Sequence, residues 1–217
     1  MIILSGAGEL ITGPTNPPTY DAVSTNGGSV TSHSWSHTVA NEANRILLVF
    51  EYYWNGSRTI SGITYNGVAL TKLETQIIAA PGTRTLELWY LLNPATGTNT
   101  IAVTGTGSAA DKNGIGISLY NAAQTVPTAV KAEQSNTTPA VTITGTTTDL
   151  FIDGVGDNDS GQSLTVGANQ TQRANFAQGD QRAAASTAPG VASESMNWTL
   201  GGGTAWAIIA CKVGGAT

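Results

Sequence analysis

Charge is what this sequence has least of. Lys, Arg, Asp and Glu make up 11% of its 217 residues, against about 25% in ordinary soluble domains. The nine Lys and Arg are scattered and the net charge is −5, which argues against a surface that tracks nucleic-acid phosphates. The single cysteine, Cys211, excludes an intrachain disulfide. It continues the alternation Ala205, Ala207, Ile209, Cys211, Val213, the pattern of a buried strand face carrying an inert thiol. No stretch approaches the ~18 apolar residues of a membrane span, so no membrane insertion is expected. Met1-Ile2-Ile3-Leu4 runs directly into Ser5-Gly6-Ala7-Gly8-Glu9, without the basic region and apolar run of a signal peptide. A 3.6-residue apolar period is also missing, which argues against helices.

Thr, Ser, Asn, Gly and Ala take the place of the missing charge. These are β-compatible and turn-forming residues rather than long helix formers. Short alternating segments separated by turn clusters predict an all-β, antiparallel β-sandwich of about eleven strands, jelly-roll-like, with no internal repeat. Residues Ser29–Ala40 alternate, with His33, Trp35, His37 and Val39 on one face. Arg45–Trp54 is apolar on both faces at its start and predicts a central strand. Asn66-Gly67 between Ile60–Tyr65 and Val68–Leu73 is a hairpin signal, since both residues tolerate positive φ. Asn93–Thr98 predicts a longer hairpin loop between Arg84–Leu92 and Asn99–Thr104. Later strands are expected at Gly114–Tyr120, Ala140–Thr144, Leu150–Val155, Leu164–Phe176, Val191–Leu200 and Thr204–Val213.

Residues 1–22 predict a separate extended arm ahead of a single sandwich domain at 23–217. Pro14, Pro17 and Pro18 favour a polyproline-like course without internal hydrogen bonds. Ile2, Ile3 and Leu4 form an apolar tip suited to docking on a neighbouring subunit.

The runs Thr64-Tyr65-Asn66-Gly67-Val68-Ala69-Leu70-Thr71, Glu87-Leu88-Trp89-Tyr90-Leu91-Leu92-Asn93-Pro94 and Gly97-Thr98-Asn99-Thr100-Ile101-Ala102-Val103-Thr104 occur in that order. They resemble a group of Gly/Thr-rich β-sandwich modules found in phage structural proteins and bacterial surface proteins. The resemblance extends, more loosely, to the strand Trp206–Val213 and covers most of residues 25–213. It implies a jelly-roll-like fold and a structural or adhesive role, and carries over no catalytic residue. The resulting expectation is a non-enzymatic phage virion surface protein: a capsid decoration or cement protein, head fibre or tail-associated module. Its partners would be other virion or filament subunits in a homo-oligomer. An exterior composition without an export signal fits a particle that assembles in the cytoplasm and leaves by lysis. The alternative is a carbohydrate-binding or adhesin module of a bacterial cell surface.

Three constellations carry possible chemistry. Tyr53, Trp54, Asn55 and Arg58 place aromatic rings beside a polar loop, an arrangement able to stack on a sugar of a cell-surface glycan. Strand alternation competes with this, turning either Tyr52 with Trp54 or Tyr53 alone towards the core. Asp153, Asp157 and Asp159, in Asp153-Gly154-Val155-Gly156-Asp157-Asn158-Asp159-Ser160-Gly161, offer oxygen ligands for calcium. The run departs from the EF-hand pattern at Gly161 and Ala168, and Asx-rich loops also form by satisfying their own backbone. Glu51 and Glu87 on neighbouring strands have the residue types of a glycosidase pair, although sheet-surface carboxylates are commoner. His33 and His37 stand about 13 Å apart on a strand, too far to share a metal ion. Gly114-Ile115-Gly116 lacks the third glycine of a dinucleotide fingerprint, and no nucleophile elbow is present.

Overall fold

A computed structural model describes residues 16–54, 59–78, 83–107 and 110–217. Its described residues form strands and turns without a helix, an antiparallel β-sandwich architecture in four stacked sheets.

The first half holds nine strands: β1 Thr19–Val30, β2 His33–Val39, β3 Ile46–Trp54, β4 Thr59–Tyr65, β5 Val68–Ala69, β6 Thr71–Ile78, β7 Arg84–Leu92, β8 Gly97–Thr106 and β9 Ala110–Tyr120. The second half holds eight: β10 Thr128–Asn136, β11 Ala140–Ile143, β12 Asp149–Asp157, β13 Leu164–Val166, β14 Thr171–Gln178, β15 Gln181–Pro189, β16 Glu194–Leu200 and β17 Thr204–Gly214. The first half makes an inner sheet β1-β9-β3-β7-β6 and an outer sheet β2-β8-β4-β5. The second makes an inner sheet β10-β17-β12-β15-β14 and an outer sheet β11-β16-β13.

The two strand orders are the same. Reading β10 for β1, β12 for β3, β14 for β6, β15 for β7 and β17 for β9 converts one inner sheet into the other. The outer sheets follow suit, less the short β5. An internal repeat, absent from the sequence reading, is therefore present in the topology.

Backbone bonds fix the residue equivalence. Asn93 N donates to Arg45 O at 2.8 Å, and Gly190 N to Asp149 O at 2.9 Å. Ala122 N donates to Asn44 O and Gly215 N to Thr148 O in the same way. Arg45 thus corresponds to Asp149, Phe50 to Gly154, Tyr52 to Gly156 and Tyr53 to Asp157.

The inner sheets pack face to face around the largest core cluster. Ile46, Leu48, Phe50, Tyr52, Leu86, Leu88, Ile115 and Ile117 meet Ile152, Ala183, Ala185, Ala207, Ile209 and Cys211. Edge strand β1 lies beside β14, and β6 beside β10. Each edge meets the counterpart of the opposite edge, so the halves are related by a pseudo-two-fold axis running along the strands. The Arg173 guanidinium stands 3.7 Å from the Tyr20 ring centre, and Lys131 Nζ reaches Glu74 Oε1 at 2.8 Å, closing the two edges.

Bulk on one side is met by its absence on the other. A Cβ on Gly154 would lie 2.6 Å from Phe50 Cγ, and one on Gly156 would sink into the Tyr52 ring. The first half presents large side chains, the second glycines and alanines, and interdigitation at native packing density follows. The outer sheets each enclose a further core. One contains Trp35, Leu47, Val49, Ile63, Tyr65, Trp89 and Ile101; the other contains Val155, Ala184, Trp198, Trp206 and Ile208.

Among the described residues seventeen strands stand where about eleven were expected. β10 carries Ala, Lys, Glu and Gln, and β15 is rich in Ala, compositions that read poorly as strands. Leu164–Phe176 divides at Gly167–Gln170 into β13 and β14, with Asn169 at φ 63°. The expected loop Asn93–Thr98 is not a hairpin loop, because β7 lies in the inner sheet and β8, which begins at Gly97, in the outer. Asn66-Gly67 is a tight hairpin turn, with φ 49° and 77° and Tyr65 opposite Val68.

Of the expected arm, Ile2, Ile3, Leu4 and Pro14 lie outside the described residues. Pro17 and Pro18 immediately precede β1, whose Thr19 pairs with Tyr120. Residues 19–22 therefore belong to a sheet edge. Asn121 Nδ2 donates to Asn16 O at 3.0 Å and Pro17 O at 3.1 Å, which ties the approach to the sandwich.

Candidate functional site

Few charges are present, yet several of them are buried. Glu51, Arg84, Glu87, Lys112, Asp149, Asp153 and Asp157 all lie inside, where an ionised group must be met by partners. Their partners determine what chemistry remains open.

Glu51 interrupts the apolar run of β3 and faces the outer sheet. His33 Nε2 approaches its Oε1 at 3.0 Å, while His33 Nδ1 lies 2.9 Å from Asn26 Oδ1. The imidazole thus bridges β1 and β3. Glu51 is cross-strand partner to Glu87, which accepts from Lys72 Nζ at 2.7 Å, Tyr53 Oη at 3.1 Å and Trp89 Nε1 at 2.8 Å. The two glutamates of the glycosidase reading are therefore neighbours, but each is bound to its own partners beneath the outer sheet. The gap beside them, lined by Thr31, Glu51, Tyr53, Ile60, Val103 and Lys112, has a usable volume of about 0 Å³. That is below the ~300 Å³ at which small-molecule clefts begin.

In the second half, Asp153 anchors strand to strand. It accepts from Ser186 N at 2.8 Å, Ser186 Oγ at 2.7 Å, Trp198 Nε1 at 2.8 Å and Gln170 Nε2 at 3.3 Å. Burial raises its pKa to about 6 against these donors. Asp157 is likewise raised to about 6, chiefly by burial, and accepts from the Thr204 hydroxyl. Asp159 turns the other way, accepting from Gly161 N at 2.8 Å and Gln162 Nε2 at 3.0 Å.

The calcium reading took Asp153–Asp159 as one loop, Asp153 and Asp157 included. Both residues lie on β12, four apart on an extended strand, a separation of about 13 Å. Among the described residues no group of three His, Cys, Asp or Glu is placed to hold a metal.

His37 faces Ser24 Oγ at 2.8 Å, and burial lowers its pKa to about 4. Sequence reasoning saw both histidines on one face but missed the links to Asn26, Glu51 and Ser24. The available signal was a lone acid, Glu51, inside an otherwise apolar strand.

The aromatic candidates separate. Tyr52 and Tyr53 are both buried, whereas Trp54 at the end of β3 is 47% exposed. Neither alternation considered for them holds, because both faces of β3 are covered. Asn55 and Arg58 lie outside the described residues. The repeat adds a relation between the candidates: Tyr53 and Trp54 correspond to Asp157 and Asn158. The aromatic and acidic constellations are thus the same strand end in the two halves, side by side at one end of the molecule.

No protein-family model, curated protein or solved structure matches the chain.

Proposed function

We propose that each half is a jelly roll and that the chain is a non-enzymatic structural protein of a phage virion surface, serving as a decoration or cement protein, head fibre or tail-associated module. Numbering β5 and β6 as one strand, the inner order is 1-8-3-6-5 in both halves and the outer order is 2-7-4-5 in the first and 2-7-4 in the second, which we read as two interleaved Greek keys. Such sandwiches recur in capsid and lectin domains, and fold alone leaves the choice of function open.

One observation carries the reading. The ionisable groups that catalysis would draw on, above all the Glu51–Glu87 pair, are buried and bound to neighbouring strands. Their chemistry is used in holding sheets together. The low-charge exterior suits lasting contact with other subunits, and residues 1–15, with their apolar tip, supply a segment for docking on a neighbour.

Density-gradient fractionation of the source's lysate tests the proposal. The protein should travel with particles or filaments, and removal of residues 1–15 should release it to the soluble fractions. Full-length protein found only at the top of the gradient would overturn the reading.

A further inference from the structure

Four of the five tryptophans are buried, at 1–8% exposure; Trp54 alone is left at 47%. Its position is set by the packing of the two halves. Along β3 the Phe50 ring lies on Gly154 and the Tyr52 ring on Gly156. Continuing that progression by two residues places Trp54 opposite Asn158, at the end of the seam between the inner sheets where the indole is exposed. Stacked sheets stand about 10 Å apart, so the loop that follows β12 is within reach of a ligand resting on the indole.

That loop is held in one geometry. Asn158 N donates to Ala205 O at 3.1 Å and Ser160 N to Asp180 O at 3.2 Å. Arg182 clamps it from β15, donating to Ser160 O at 3.2 Å and to Asn175 Oδ1 at 2.9 Å. The Asp159 carboxylate is fixed by Gly161 N and Gln162 Nε2, and those bonds hold its pKa below the usual value. It is an ionised, pre-positioned acceptor on the loop that follows β12, at the end of the molecule where β3 ends in Trp54.

We propose that Trp54 and the Asp159 carboxylate form a binding site for one neutral saccharide ring at the mouth of the seam. An aromatic face takes the C–H face of a pyranose, and a carboxylate accepts from two of its hydroxyls. The ionised Asp159 carboxylate repels a sulfate, phosphate or sialyl carboxylate brought to the same place. The site does not depend on whether the protein sits on a particle or a cell, so its failure leaves the structural reading intact.

The test uses the full chain and the methyl glycosides of glucose, galactose, mannose and N-acetylglucosamine, with saturation-transfer NMR and calorimetric titration. At least one glycoside should bind. Trp54→Ala should weaken it roughly tenfold, the factor that corresponds to about 1.4 kcal/mol. Asp159→Asn should weaken it severalfold, and Trp54→Phe should retain part of the affinity. Val68→Ala, an exposed apolar site elsewhere, should change nothing. If none of the four glycosides binds, or if binding survives Trp54→Ala undiminished, the proposal is overturned. Preferential binding of a sulfated or sialylated glycoside would overturn it as well.

Discussion

The contact between Phe50 and Gly154 provides a quantitative test of how the halves fit. Gly154→Ala adds a methyl whose carbon would lie 2.6 Å from Phe50 Cγ. Both backbones are paired on each side within their sheets, so neither can withdraw easily. Overpacking of this kind costs about 1–3 kcal/mol. Phe50→Ala alone removes a fully buried ring and should cost about 3–5 kcal/mol. In the double variant the new methyl enters space that the ring has vacated. Its cost should therefore be no greater than that of Phe50→Ala, a coupling of about 1–3 kcal/mol relative to additivity. Urea unfolding with a constant m-value reports each corner of the cycle. Gly62→Ala, with nothing within 4 Å of the added carbon, is the control and should stay within about 0.5 kcal/mol. Additive single effects would refute the direct ring-on-glycine contact.

Four further outcomes are expected. Gly67→Val forces a β-branched residue to φ 77° and should lower stability by about 1–3 kcal/mol in the same denaturation assay. Asp153→Asn weakens the bonds to Ser186, Trp198 and Gln170; a loss of about 1–3 kcal/mol, with altered near-ultraviolet circular dichroism from Trp198, should follow. For pH, Asp153 and Asp157 have folded pKa values raised to about 6 from 3.8, so their contribution is present at low pH and lost as pH rises through 6. His37 is lowered to about 4 from 6.5 and contributes the opposite way, losing stability as pH falls towards 4. Two groups oppose one, so Tm should rise modestly from pH 6.5 to 4.5, and more steeply in His37→Gln. An equal or smaller rise in that variant would show that His37 does not titrate as described. Finally, removal of residues 1–15 should leave Tm nearly unchanged, whereas removal through residue 22 strips four residues from β1 and should lower it, as differential scanning fluorimetry would show.

Some of the architecture was plain in the sequence. β3 declared itself by an unbroken run from Ile46 to Phe50, and Asn66-Gly67 by its turn chemistry. The repeat was hidden by the complementarity that joins the halves. Where Phe50 and Tyr52 meet Gly154 and Gly156, equivalent positions must differ, so resemblance is erased at the axis. β15 was missed for a related reason: Ala183, Ala184 and Ala185 are weak strand formers, and Ala183 and Ala185 belong to the small face that receives the first half. At the candidate site, Glu51 was visible as one of a pair of carboxylates and Trp54 as a strand-end aromatic. Which group met Glu51 was not, because His33 arrives from the outer sheet.

The opposition of aromatic and glycine also bears on synthesis. The first half emerges from the ribosome with its inner face uncovered, and at 5–20 residues per second its partner follows roughly 5–20 s later. Two nascent first halves pairing through that face about the same axis would bring Phe50 against Phe50 and Tyr52 against Tyr52. Ridge would meet ridge with no hollow to enter. The shape that welcomes the later half of the same molecule thus turns away premature neighbours on the same polysome.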